Sequence, residues 1–136
     1  MSQFVWPVRV YYEDTDSGGV VYYANYLKFM ERARTECLRT MGFEQDKLRQ
    51  EQGVLFAVHS LQVDFRRPAL FNDALEVSAE IRSQRRASLT FFQQIRRRGA
   101  SEVLCCGHIR VACVDAHSFK PVPIPECVRA ELTNVC

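Results

Sequence analysis

The spacing of apolar residues divides the chain into a helical part and a series of strands. From Tyr26 the apolar positions recur every three or four residues, the spacing of one buried stripe on an α-helix. This pattern predicts a helix over Asn25–Met41, with Asn25 as its N-cap. The polar segment Glu44–Gln52 predicts a second, short helix, which ends at Gly53.

After Gly53 the apolar positions alternate with a period of two, which predicts β-strands. In one of these strands the alternation slips at His59 and Ser60, as a β-bulge would cause. The closing segment Lys120–Pro125 is expected to be extended, and a short tail follows it. The predicted strands are Val8–Tyr12, Val54–Phe65, Leu75–Arg82, Ser88–Arg97 and Val103–Cys113.

One long helix and five strands predict an α+β fold, in which an antiparallel five-stranded sheet wraps around one central helix. The chain has 136 residues, of which 47% are hydrophobic, so we expect residues 1–136 to form a single domain. The sheet must end in edge strands, and an exposed edge can pair with a second copy. We therefore expect a homodimer.

Composition narrows the range of functions. A formal charge of +2 is too mild to indicate a nucleic-acid partner. The segment 1–10 lacks the apolar run of a signal peptide or membrane span, which predicts a cytoplasmic protein without stable membrane insertion. The six cysteines include no CxxC pair, so we expect no metal and treat these thiols as small hydrophobic residues.

The segment between the first strand and the long helix concentrates reactive groups. Glu13, Asp14 and Asp16 stand within four residues, directly before Gly18 and Gly19. Free N–H groups at a helix amino terminus favour developing negative charge, and a nearby carboxylate can attack a carbonyl or take a proton from water. The segment therefore has the groups needed to hydrolyse a thioester or a similar acyl compound.

The segment also has alternative interpretations. A turn that merely solvates its acids is an alternative that the pattern leaves open. A calcium loop of the EF-hand type is disfavoured, because Gly18 and Asn25 stand where oxygen-rich ligands are required. No GxSxG motif occurs, and the histidines are predicted to lie in strands (His59, His108) or in a turn (His117).

Several long segments carry a resemblance to a known family. They are WPVRVYYEDTDSGGVVYYANYLKFMERARTE, VDFRRPALFNDALEV, SLTF and VACVDAHSFKPVPIP. The sequence resembles the hot-dog-fold thioesterases of the 4-hydroxybenzoyl-CoA thioesterase family, and more closely the Tol-Pal-associated acyl-CoA thioesterases. A DxDxxGxVxxxxY pattern is met by Asp14, Asp16, Gly19, Val21 and Tyr26. The resemblance implies a hot-dog fold, homodimers or homotetramers, and hydrolysis of acyl-CoA without a cofactor.

The resemblance also implies roles for individual residues. Asp16 is at the place of the family's catalytic carboxylate, the backbone N–H of Tyr23 at that of its carbonyl-polarising donor, and Gly19 belongs to the same turn. Several closer relatives carry a histidine where this chain has Tyr23, so imidazole chemistry is lost here. This leaves both short aliphatic and aromatic acyl groups open as substrates.

The coenzyme's phosphates require cations, and Arg85 and Arg86, followed by Ser88, are the first candidates. Arg66 and Arg67 are the next pair, and Asn25 is a further candidate for substrate binding.

An alternative function is a non-catalytic scaffold that binds acyl-CoA or acyl carrier protein and is linked to phospholipid-synthesis enzymes. A dehydratase is disfavoured, because that chemistry usually needs a histidine and none is near Asp16 in the sequence.

Overall fold

A computed structural model describes residues 4–135. They form one antiparallel sheet of five strands and three α-helices, which confirms the predicted α+β class. A short 3₁₀ turn, Tyr12–Asp14, precedes the first helix. The elements in chain order are β1 (Phe4–Arg9), α1 (Tyr23–Thr40), α2 (Gln45–Gln52), β2 (Val54–Phe65), β3 (Ala74–Gln84), β4 (Ser88–Arg97), β5 (Val103–Asp115) and α3 (Glu126–Val135).

The strand order across the sheet is β1-β3-β4-β5-β2, so β1 and β2 are the two edges. Helix α1 packs its apolar stripe against one face of the sheet, where Phe29 and Met30 join Phe91 and Ile95 in a continuous buried core. This core holds the amino end of α1 at one end of the sheet. The turn that precedes α1 is fixed in the same place.

The long helix begins earlier than predicted, and its predicted cap is wrong. Tyr22, not Asn25, is the N-cap, with extended backbone angles (φ −64°, ψ 133°). The backbone N–H of Tyr22 donates to the carbonyl of Asp14 at 2.9 Å, so the chain stays extended up to this residue. Asn25 is buried in the first helical turn, and its Nδ2 donates to the same Asp14 carbonyl at 2.9 Å.

Two further differences concern the chain ends. The first strand is Phe4–Arg9 instead of Val8–Tyr12, because the Asp14 carboxylate accepts the Tyr11 N–H and bends the following residues into the 3₁₀ turn. Helix α3 lies in the tail after Pro125, for which the sequence pattern predicted no element. Its Val128 and Leu132, one turn apart, are fully buried in the core.

The β-bulge is confirmed, since the register of β2 against β5 shifts between Val58 and Ser60. The short helix α2 is also confirmed, with Gly53 after it in the left-handed region (φ 69°).

A buried polar connection joins α1 to the sheet. Gln93 on β4 is fully buried, and its Oε1 accepts from Arg34 Nη1 at 3.0 Å. Its Nε2 donates to the carbonyls of Met30 at 3.0 Å and Ser78 at 3.2 Å. Burial lowers the pKa of the Arg34 guanidinium below its usual value, and Glu31 partly opposes this. Gln93 is therefore the acceptor that stabilises a largely desolvated cation.

Candidate active site

A tight turn carries Asp16 to the amino end of α1. The Gly19 N–H donates to the Asp16 carbonyl at 3.0 Å, and the Asp16 N–H donates to the Val20 carbonyl at 2.9 Å. Gly19 closes the turn in the left-handed region (φ 79°), a conformation that glycine adopts without strain. The sequence motif thus builds a hairpin loop with Asp16 at its base.

The two aspartates of the motif have different surroundings. Asp14 is used structurally, because its Oδ2 accepts the Tyr11 N–H at 2.8 Å and its carbonyl holds Tyr22 and Asn25. Asp16 is exposed, and its Oδ1 accepts the Gly18 N–H at 2.8 Å. Within residues 4–135 nothing donates to its second oxygen. Asp16 therefore offers a positioned carboxylate with one oxygen open to a ligand.

The helix end beside this turn presents unused donors. Tyr23 and Ala24 are the first two residues of α1, and their backbone N–H groups donate to no group in the described part of the chain. An 18-residue helix contributes a positive partial charge at this end. A carbonyl oxygen placed here would be polarised while Asp16 acts on its carbon or on a water molecule.

The loop after β2 is bound firmly to the same turn through Ala69. The Ala69 N–H donates to the Tyr26 hydroxyl at 2.9 Å, and the Ala69 carbonyl accepts the Val21 N–H at 2.9 Å. Burial raises the pKa of Tyr26, so its hydroxyl stays protonated. Val20 and Leu70 form a further bridge. These contacts fix the end of β2 against the amino end of α1.

A pocket of about 210 Å³ opens between these elements and is called the Tyr23 pocket below. Its wall is aromatic, since the Tyr23 and Phe65 rings meet edge to face with centroids 6.2 Å apart, and Tyr26 lies 5.5 Å from Phe65. Two guanidinium groups complete it. The lining residues are Val21, Tyr23, Tyr26, Phe65, Arg66, Arg67 and Pro68.

The structure does not bring Arg85, Arg86 and Ser88 to Asp16 within one protomer. Phe65 shares a row of the sheet with Cys105 and Ile95, whereas Ser88 starts β4 at the opposite end. Ser88 and Ile95 are seven positions apart along β4, roughly 24 Å at the usual rise per residue. Ser88 is also buried. In a single chain, Arg66 and Arg67 are the basic pair beside Tyr23.

The other nucleophile candidates are buried or distant. Burial raises the pKa of Cys105 to about 12 and that of Cys113 to about 11, so both remain protonated thiols. His59 and His108 lie in strands, where the His108 ring contacts Phe92 with centroids 4.9 Å apart. Across residues 4–135 no group of three or more His, Cys, Asp or Glu side chains is arranged to hold a metal ion.

The sequence prediction did not assign Gly18 or Phe65 to the site. A Cβ on Gly18 would lie 3.2 Å from Asp16 Oδ1, so a side chain there would crowd the carboxylate that folds back onto the Gly18 N–H. The paired glycines were a signal for this. Phe65 had no such signal, because only the fold brings the end of β2 to α1.

Comparison with known proteins identifies the family. The family model described as the thioesterase-like superfamily matches residues 10–132. The chain belongs to this superfamily. An acyl-CoA thioesterase, YbgC, of Haemophilus influenzae is 46% identical over 93% of this chain and 92% of its own. The acyl-CoA thioester hydrolase YbgC of Escherichia coli O6:H1 is 47% identical over 94% of each chain.

A solved structure extends the comparison to the fold. The 1,4-dihydroxy-2-naphthoyl-CoA thioesterase Slr0204 from Synechocystis superposes with a TM-score of 0.89, covers 98% of each chain, and is 20% identical. The predicted hot-dog fold and the enzyme class, a thioester hydrolase, are thereby confirmed for this member of the superfamily.

Proposed function

We propose that this thioesterase hydrolyses short-chain or aromatic acyl-CoA to the free acid and coenzyme A. The observation that carries the proposal is the position of Asp16. Its free carboxylate oxygen stands on a rigid turn, directly before a helix end whose first two N–H groups have no acceptor in the described chain. The two YbgC relatives, which are named for acyl-CoA thioester hydrolysis, support the same substrate class.

The proposed reaction uses the helix end and the carboxylate together. The thioester carbonyl accepts the Tyr23 N–H, which draws electrons from the carbon and stabilises the oxyanion that forms. A carbon–oxygen bond forms, the carbon–sulfur bond breaks, and coenzyme A leaves as a thiolate that takes up a proton. Gly19, in the left-handed region, closes the turn that carries Asp16.

Two routes supply the attacking oxygen. Asp16 either attacks the carbonyl and forms an acyl-enzyme anhydride that water then opens, or takes a proton from a water molecule that attacks directly. A single turnover in ¹⁸O-labelled water tests the anhydride route. Label in the Asp16 carboxylate indicates an anhydride that water opens at the Asp16 carbon, whereas water attack at the acyl carbon places the label in the released acid by either route.

The activity is tested with a panel of acyl-CoA substrates. Purified protein is mixed with aliphatic and aromatic acyl-CoAs, and free thiol is measured. We expect turnover of short-chain or aromatic members. Absence of thiol release across the panel would contradict the proposal and favour a non-catalytic scaffold.

We expect the backbone N–H of Tyr23 to contribute to catalysis and its phenol hydroxyl to contribute little. The Tyr23 side chain is 60% exposed, and the proposed donor is its amide, which Tyr23→Phe leaves in place. The variant should therefore keep kcat/KM within about threefold of the parent enzyme. A loss of about 100-fold, the size associated with removal of an oxyanion donor, would instead assign the role to the hydroxyl.

A homodimer through the β2 edge is part of the proposal. Among the strands of residues 4–135, this 12-residue strand pairs only with β5, and Val58, Leu61 and Phe65 on it are 46–49% exposed. Such a long apolar edge is suited to pair with a second copy. In that dimer, the partner's Arg85 and Arg86 can approach a coenzyme bound at Asp16, whereas Ser88 is buried within its own chain. Asn25 supports the turn through Asp14. Two dimers would then form the tetramer that the family resemblance implies.

Light scattering tests this interface. Leu61→Glu should lower the mass toward that of a monomer and reduce activity, because a charge would be buried at the pairing edge. Val5→Glu, on the opposite edge strand β1, is the matched control and should keep the parent mass. A fully active monomer of the parent protein at micromolar concentration would exclude this assembly.

The remaining predictions concern the cellular location of the protein and its binding partners. Cys105, Cys106, Cys113 and Cys127 carry free thiols. The cytoplasmic location stays a prediction. No helix within residues 4–135 is long and apolar enough to cross a membrane. A Tol-Pal association and contacts with acyl carrier protein or phospholipid-synthesis enzymes stay predictions.

A further inference from the structure

We propose that the Tyr23 pocket selects acyl groups that carry a carboxylate, and that Arg66 recognises it. This inference rests on the proposed thioesterase function, since it places the acyl group of the substrate in this pocket. It names the substrate class more narrowly than a short or aromatic acyl chain.

The Tyr23 pocket lies at the residue that provides the proposed carbonyl donor. The ring of Tyr23 forms a wall of the pocket, and the backbone N–H of the same residue is the proposed carbonyl donor. A group bound in the pocket therefore lies next to the thioester carbonyl. The phosphates of coenzyme A are separated from that carbonyl by the whole pantetheine arm, so an anion in this pocket belongs to the acyl group.

The guanidinium groups at the Tyr23 pocket differ in whether they have a partner. Arg66 and Arg67 both line the pocket, but Arg67 Nε already pairs with Glu102 Oε2 at 3.4 Å. Arg66 has no ion-pair or side-chain hydrogen-bond partner in residues 4–135. Guanidinium groups donate paired N–H groups to a carboxylate, which makes Arg66 the available recognition group.

Hydrogen bonds hold the backbone that carries Arg66. The N–H groups of Arg66 and Arg67 both donate to the Leu104 carbonyl, at 2.8 and 3.0 Å. Ala69, three residues after Arg66, is held by Tyr26 and Val21. The backbone that carries Arg66 is thus fixed relative to the turn of Asp16, so binding has to order the Arg66 side chain but not this backbone.

The aromatic wall and the volume suit a compact acyl body. Tyr23, Tyr26 and Phe65 offer ring faces and edges, and about 210 Å³ accommodates a short dicarboxylic chain or a single ring. The expected substrates are therefore monothioesters of small dicarboxylic acids, aliphatic or aromatic.

The test compares matched neutral and carboxylated thioesters: butyryl with succinyl, and benzoyl with 4-carboxybenzoyl, each on coenzyme A and on truncated pantetheine. The parent enzyme should prefer the carboxylated member of at least one pair. Arg66→Gln should lower kcat/KM for that member about 10- to 100-fold on both carriers, with the neutral member unchanged. Arg66→Lys should restore part of the loss, because it keeps the charge without the paired donors.

Arg98→Gln is the control, since this exposed arginine stands at the same end of the sheet but does not line the pocket. A loss confined to coenzyme A thioesters of both acyl types would show that Arg66 contacts a phosphate, and would overturn the inference. An equal loss on all substrates, no loss, or a parent preference for neutral members would overturn it too. Failure of the parent to hydrolyse any thioester would instead contradict the proposed function.

Discussion

Asp16→Asn should remove most of the activity while the protein keeps its fold and oligomeric state. The amide keeps the shape of the side chain, and its oxygen can still accept the Gly18 N–H that now donates to Oδ1 at 2.8 Å. What is lost is the negative charge needed to attack the carbonyl or to accept a proton from water. We expect kcat/KM to fall by about 100- to 10,000-fold, the range typical of a positioned acid or base.

Asp14→Asn is the matched control, two residues away in the same motif. Asp14 acts through its carbonyl and through one carboxylate oxygen that accepts the Tyr11 N–H, and an amide oxygen can replace that acceptor. Its activity should therefore stay within about tenfold of the parent. Thiol release, circular dichroism and light scattering would be measured together. Parent-like turnover by Asp16→Asn would show that the catalytic carboxylate lies elsewhere.

Gln93→Leu should destabilise the fold by about 2–4 kcal/mol. Leucine is similar in size, but it leaves the Arg34 guanidinium without its acceptor and the Ser78 carbonyl without the donor at 3.2 Å. A desolvated cation that loses its partner is costly, because water cannot reach it fully. Urea unfolding at fixed protein concentration measures the effect, since an oligomer's stability depends on concentration.

Gln94→Leu is the control for this variant. Gln94 follows Gln93 on β4, but its side chain points to the opposite face, and its backbone N–H is the group that bonds to Ser78. The control should change stability by no more than about 0.5 kcal/mol. Combining Arg34→Met with Gln93→Leu should cost less than the sum of the two single changes, because the double variant buries no unpaired charge. Additive costs would show that the pair does not interact energetically.

The corrections to the start of the long helix and to the first strand share one cause. Asn25 has the chemistry of a helix cap, yet the helix starts before it, because the Asp14 carbonyl accepts both Tyr22 and the Asn25 side chain. Likewise, Tyr12 fits the apolar alternation of the predicted first strand. It lies in a 3₁₀ turn instead, because the Asp14 carboxylate accepts the Tyr11 N–H. In each case a contact with Asp14, between three and eleven residues away, outweighed the local propensity.

The placement of cations shows the limit of sequence spacing. Arg66–Arg67 and Arg85–Arg86 are similar pairs at strand ends, and nothing in their local sequence ranks them. The antiparallel topology sends one pair to the end of the sheet that carries Asp16 and the other to the opposite end. Only the former lines the Tyr23 pocket within a single chain.

By itself, the sequence determined the features that depend on neighbours along the chain. These are the long helix and its apolar stripe, the alternation of the strands, the bulge near Ser60, and the acidic glycine turn before the helix. Each follows from backbone geometry and from the period at which side chains meet a core. The tertiary structure alone decided which distant residues meet. It joined Phe65 and Arg66 to Tyr23, and Gln93 to Arg34, because strand order and helix packing bring together positions that no local period relates.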